Sequence, residues 1–66
     1  MKVVVNGEAR EVEENLSLSS LLEKLNLPVM RVAVELNQTV VRRATWAETT
    51  LRENDKVEIV HFVGGG

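Results

Sequence analysis

Residues 15–28, Asn-Leu-Ser-Leu-Ser-Ser-Leu-Leu-Glu-Lys-Leu-Asn-Leu-Pro, contain the segment that decides the fold. Its leucines recur at the spacing of one helical face, which predicts a short amphipathic helix. Ser17 is the expected N-cap, although a cap at Ser20 with Glu23 as its capping-box partner stays open. Asn26 is expected to end the helix, because Pro28 restricts the residue before it. The helical face consists of Leu18, Leu21, Leu22 and Leu25.

Strand patterns lie on both sides of this helix. Residues 1–6 alternate and predict a strand, and Asn6-Gly7 is typical of a type I′ hairpin turn. Residues 8–13 are then the returning strand, and their charges indicate a sheet edge. After the helix, residues 31–37 predict a third strand and residues 39–42 a brief fourth one.

The C-terminal half adds a buried tryptophan and a last strand. Residues 44–48 predict a single helical or 3₁₀ turn that places Trp46 in the core. Residues 52–55 form a polar turn, and residues 56–63 form the final strand, which ends in an apolar run.

This order of elements predicts an α+β fold, a four- to five-stranded mixed sheet with one main helix on one face. The first and last strands are the most apolar, so we expect them to be central, parallel neighbours. That arrangement is the β-grasp, or ubiquitin-like, roll. We expect residues 1–63 to form this domain and residues 64–66 to be a flexible glycine tail.

The glycine tail is the most informative functional feature. Gly64, Gly65 and Gly66 have no side chains, so the tail's reactive group is the α-carboxylate of Gly66. Gly64 and Gly65 would thread a narrow channel, since no Cβ obstructs them. We therefore expect the active site of another protein to receive the Gly66 carboxylate.

The composition excludes several classes of function for residues 1–63. The 66 residues suffice for one small domain, and the absence of cysteine excludes disulfides and thiolate chemistry. A single histidine cannot form an imidazole cluster, and a net charge of −2 with interspersed signs offers no nucleic-acid surface. No membrane span or leader is recognised, so we expect a cytoplasmic protein without metal or intrinsic cofactor.

Strict alternation also predicts an apolar surface on the sheet face opposite the helix. The residues expected to face the helix are Val3, Val5, Val32, Val34, Val57 and Ile59. Those expected on the uncovered face are Val4, Ala33, Val60 and Phe62, bordered by Glu35 and Glu58. An apolar patch with a charged rim is typical of a protein-docking surface.

The sequence also resembles a known family. Residues 37–42 (Asn-Gln-Thr-Val-Val-Arg) with Trp46, and residues 54–60 leading to the terminal glycines, are similar to the ThiS family of bacterial sulfur carriers. The resemblance covers the whole chain. The sequence differs from the family pattern at two positions. Many relatives have proline where this chain has Val41, and glycine where it has Asn54. Asparagine tolerates positive φ, so the turn at Asn54 should survive.

This resemblance implies a protein co-substrate rather than an enzyme. An adenylyltransferase of the ubiquitin-activating type would adenylate Gly66 with MgATP. A persulfide derived from cysteine by a desulfurase would then convert it to a thiocarboxylate, and thiazole synthase would take the sulfur for thiamine biosynthesis. The resemblance thus names three partners, and we expect the free carrier to be a monomer.

Other readings of the same features remain open at this stage. The fold and glycine end also occur in the small subunit of molybdopterin synthase, although the short length favours the thiamine branch. A ubiquitin-like modifier would instead form isopeptides with lysine. A structural or adaptor role would leave the carboxylate unmodified.

Overall fold

Five strands and one α-helix make up the part of the chain that this computed structural model describes, residues 1–62. The predicted tail, residues 64–66, and residue 63 lie outside the described residues. Two 3₁₀ segments complete this part, Val29–Arg31 and Arg43–Glu48. The elements are β1 (Lys2–Val5), β2 (Glu8–Glu11), α1 (Leu18–Lys24), β3 (Val32–Leu36), β4 (Thr39–Val41) and β5 (Lys56–His61).

The sheet has the order β2-β1-β5-β3-β4. β1 and β5 are central and parallel, with Val5 opposite Val57, whereas every other pairing is antiparallel. The predicted α+β roll and its central parallel pair are confirmed. β2 lies at a sheet edge with all four residues exposed, as its charges predicted.

Positive backbone φ angles shape the turns. Asn6 and Gly7 have φ of 48° and 85°, as a type I′ hairpin turn requires. Asn37 and Gln38, at 51° and 72°, form the equivalent two-residue turn between β3 and β4. Asn54 also has positive φ, 69°, so the expectation that asparagine sustains this turn is confirmed.

The ends of α1 follow from its sequence. Ser17 is the N-cap, and its hydroxyl accepts a hydrogen bond from the Ser20 amide at 3.1 Å, so the alternative cap at Ser20 is wrong. Asn26 adopts φ of 56° after the last turn, and its amide donates to the Glu23 carbonyl. The Leu27 amide donates to the carbonyl of Leu22, which completes a Schellman motif with asparagine at its left-handed position.

One core lies between α1 and the sheet. Leu18, Leu21 and Leu22 are almost fully buried, and Leu25 is partly buried. Trp46 is buried as predicted, and its indole Nε1 donates to the Val41 carbonyl at 2.8 Å. All six sheet residues predicted to face the helix are buried: Val3, Val5, Val32, Val34, Val57 and Ile59.

Several predicted boundaries were wrong by one or more residues. β1 ends at Val5 because Asn6 already has the positive φ of the turn. β2 ends at Glu11, opposite Lys2, although the Val12 amide still donates to the Met1 carbonyl at 2.8 Å. β5 ends at His61, so Phe62 follows the strand instead of lying within it. The 3₁₀ segment Val29–Arg31, just after Pro28, was not predicted.

Candidate functional site

The face of the sheet opposite α1, here called the open face, contains the predicted docking residues. Val60 and Phe62 have 59% and 58% of their surface exposed, which is high for large apolar side chains. Val4 and Ala33 are partly buried on the same face. The periodicity of two along each strand explains why Val4 and Val60 point away from the core that buries their neighbours.

The strand register brings some of these residues together and separates one from them. Ala33 is directly opposite Val60 in the β3–β5 pair. Val4 is opposite Lys56, four residues before Val60 on β5. At about 3.3 Å per residue, that offset places Val4 about 13 Å further along the sheet. The apolar surface next to the C-terminal end of β5 therefore consists of Ala33, Val60 and Phe62.

Phe62 is tied to the body through its backbone. Its amide donates to the Arg31 carbonyl at 2.8 Å, which continues the β3–β5 ladder one step beyond His61. This bond holds the backbone of Phe62 while its side chain stays largely in solvent. The backbone is therefore fixed to β3 up to Phe62, the residue that precedes residues 63–66.

Two further exposed apolar residues were missed by the sequence reasoning. Val40 is opposite Glu35 in the β3–β4 hairpin, so it shares the open face, and 67% of it is exposed. The two-residue turn at Asn37-Gln38 fixes that register. Recognition of this turn in the sequence would have placed Val40 on the open face. Met30, 69% exposed, precedes the Arg31 that binds the Phe62 amide. The unpredicted 3₁₀ segment presents Met30.

Charges border the open face as expected. Glu35 and Glu58 are directly opposite each other on adjacent strands, and both are exposed. Neither forms an ion pair with any residue of the described part. The ion pairs found there lie elsewhere and join the Met1 ammonium to Glu11 and Glu14, and Lys24 to Glu13. Arg42 and Arg43 are exposed as well.

Within residues 1–62, no group of three or more histidine, cysteine or acidic side chains is arranged to hold a metal ion. None of the helices in this part of the chain is long and apolar enough to cross a membrane. The predicted reactive and threading residues, Gly66, Gly65 and Gly64, lie outside the described residues.

The fold and the open face define a small β-grasp domain, and comparisons with known proteins agree. A solved thiamine biosynthesis protein (ThiS) from Geobacter metallireducens superimposes with a TM-score of 0.88 and 38% sequence identity, and each chain is covered completely. The ThiS family model matches residues 3–66. The chain therefore belongs to the ThiS family.

Two curated relatives differ in length. The sulfur carrier protein ThiS of Escherichia coli is 26% identical, and the match covers 100% of both chains. The thiazole synthase of Magnetococcus marinus is 44% identical over this whole chain. This chain spans only 20% of that synthase, so a domain similar to it is part of a much longer polypeptide there.

Proposed function

We propose that this protein carries sulfur for thiazole formation in thiamine biosynthesis, with Gly66 as the modified residue. The carboxylate of Gly66 attacks the α-phosphorus of ATP, and pyrophosphate leaves to give an acyl adenylate. A persulfide sulfur then attacks the acyl carbon and AMP leaves. Reduction of the resulting acyl disulfide by a thiol releases the terminal thiocarboxylate.

The observation that carries this proposal is the family match, which runs through the glycine end at residues 64–66. A carboxylate is a poor acyl electrophile, so activation must precede sulfur transfer. The Mg²⁺ and the groups that stabilise the transferred phosphoryl charge belong to the activating enzyme. In this scheme the protein is a co-substrate, and it contributes an accessible backbone terminus and a surface to dock.

The proposed partners are an adenylyltransferase of the ubiquitin-activating type, a cysteine desulfurase or other persulfide donor, and thiazole synthase. The Magnetococcus marinus relative supports the last of these, because a domain like this one shares a chain with a thiazole synthase. When two proteins that act on the same intermediate are linked in one chain, the effective concentration of each around the other rises. We propose that the carrier meets these partners in the cytoplasm and is a monomer between encounters.

We assign partner docking to Ala33, Val60 and Phe62 on the open face, with Val4 at its far end. Apolar side chains with a charged rim match the anatomy of transient interfaces. The first three lie beside the end of β5, where residues 63–66 begin. A partner that receives the terminus must approach this end, so it meets these side chains.

Intact mass spectrometry tests the proposal. The protein is incubated with its adenylating enzyme, MgATP, cysteine desulfurase and cysteine, and the control omits ATP. A gain equal to the replacement of one oxygen atom by sulfur at the C-terminus, only with ATP, supports a carrier. Conjugates to lysine in place of that gain indicate a modifier. An unchanged mass with active enzymes overturns the proposal. Transfer of the sulfur to thiazole synthase, rather than to molybdopterin synthase, then identifies the pathway.

A further inference from the structure

The central strand β5 is longer than its neighbour β1. Their parallel pairing ends at Val5 opposite Val57, whereas β5 continues to His61. The side chain of Asn6 extends the pairing past this point, because its Oδ1 accepts from the Ile59 amide at 2.7 Å and its Nδ2 donates to the Ile59 carbonyl at 3.2 Å. Beyond Ile59, no group of β1 reaches the edge of β5.

The backbone of His61 faces that same edge. His61 is opposite Val32, and the next amide, that of Phe62, donates to the Arg31 carbonyl. This bond pattern makes Val32 and His61 a non-hydrogen-bonded pair of the antiparallel ladder. The N–H and C=O of His61 therefore point away from β3, to the side where Asn6 binds Ile59. Within residues 1–62, neither group has a hydrogen-bond partner.

A groove of about 210 Å³ lies along this edge, between the end of α1 and the β1–β2 hairpin. Leu25 and Leu27 contribute partly buried apolar surface to it, and Glu8 and Arg10 contribute charged side chains from the exposed β2 strand. His61 and Ile59 line it from β5. An unpaired strand edge beside an apolar groove is the geometry used in recognition by β-strand addition.

The length of the glycine end brings its partner close to this edge. Four residues follow Phe62, and at about 3.3–3.6 Å each they reach at most about 14 Å. An enzyme whose catalytic pocket holds Gly66 must therefore lie against the end of β5. One side of β5 is already paired with β3 there. On the other side, the N–H and C=O of His61 have no hydrogen-bond partner within residues 1–62.

We infer that the enzyme receiving the C-terminus adds an extended backbone segment to β5 at His61. The residue paired with His61 shares its face of the sheet, so its side chain enters the groove beside Leu25 and Leu27 and is apolar. This inference rests on the proposed function, and it assigns the partner a backbone contact distinct from the open face, which lies on the other side of the sheet.

A proline substitution tests the backbone contact. In His61→Pro the outward N–H is lost, while the ladder to β3 is kept, because that N–H is not used there. His61→Ala removes the same side chain and keeps the N–H, so it is the matched control. With the adenylating enzyme and MgATP, we expect KM for the proline variant to rise about tenfold over the alanine variant, the effect of one interfacial hydrogen bond. Equal KM values for two folded variants overturn the inference.

Amide hydrogen exchange of the unmodified protein gives a second readout that does not depend on a variant. The His61 amide is expected to exchange rapidly in the free carrier and to be protected in the complex with the adenylating enzyme. Rapid exchange in a saturated complex overturns the inference even when adenylation is normal. Protection in the free protein that grows with protein concentration also overturns it, because a second copy then occupies the edge. Failure of the proposed function gives a different result from failure of this inference. In that case no Gly66 adenylate forms with either variant or with the unmodified protein.

Discussion

The amide side chain of Asn6 binds both backbone polar groups of Ile59, with distances of 2.7 Å to the amide nitrogen and 3.2 Å to the carbonyl oxygen. The same residue has φ of 48° and begins the first hairpin turn. Asn6 thus lets the chain turn back after β1 while its side chain still satisfies the backbone of β5 at Ile59.

Replacement of Asn6 by glycine separates these two roles. Asn6→Gly keeps the positive φ and removes two hydrogen bonds, so we expect a loss of about 2 kcal/mol of unfolding free energy. For a domain of this size, Tm falls by about 10 °C, measured by circular dichroism. Asn15→Gly is the control, because Asn15 has φ of 62° and no side-chain hydrogen bond within residues 1–62. Equal changes in both variants would show that the bonds to Ile59 contribute nothing.

Gln38 is expected to be a site of strain. It has φ of 72° in the β3–β4 turn, where glycine is the favoured residue. Gln38→Gly relieves the left-handed conformation and should raise the unfolding free energy by about 0.5–1 kcal/mol, after the added entropy of the unfolded chain is subtracted. Chemical denaturation measures the change. Gln38→Asn should give a smaller gain, and a loss of stability in both would contradict the assignment of strain.

Phe62 tests the docking role of the open face. Because its side chain is 58% exposed and its backbone bond to Arg31 is kept, Phe62→Ala should change Tm little. Affinity for the adenylating enzyme should fall about tenfold, as for a buried aromatic contact at an interface. Val40→Ala is the control, since Val40 is 67% exposed on the edge strand β4, which is separated from β5 by β3. Parallel losses of folding and binding in the Phe62 variant would count against the docking face.

Gly65 tests the threading role of the tail. Gly65→Leu adds a branched side chain next to the modified residue, so we expect an unchanged Tm and no detectable adenylation. Pyrophosphate release with MgATP and the adenylating enzyme is the measurement. A single residue added after Gly66 should have the same effect, provided that mass spectrometry shows the extension is intact. Normal pyrophosphate release from the intact extended protein would refute the role of the Gly66 carboxylate.

Local patterns were sufficient for most elements. The leucine spacing and Ser17 predicted α1, and Asn6-Gly7 predicted the first hairpin, because these signals act over a few residues. Alternation predicted which valines are buried in the sheet. The same local signals missed the 3₁₀ segment Val29–Arg31. They also placed Phe62 inside β5, because they did not show that β3 begins only at Val32, opposite His61.

The sequence by itself determined the α+β class, the core-facing residues and the reactive terminus proposed at Gly66, since these depend on periodicity and on residue chemistry. Only the tertiary structure decided that Ala33 and Val60 are neighbours while Val4 is displaced along the sheet. It also decided that Asn6 binds Ile59 and that the His61 backbone has no partner among residues 1–62 on the side away from β3. These relationships depend on strand register and on relative strand length, which arise from pairing between distant segments: Ala33 and Val60 are 27 residues apart in sequence, and Asn6 and Ile59 are 53 apart.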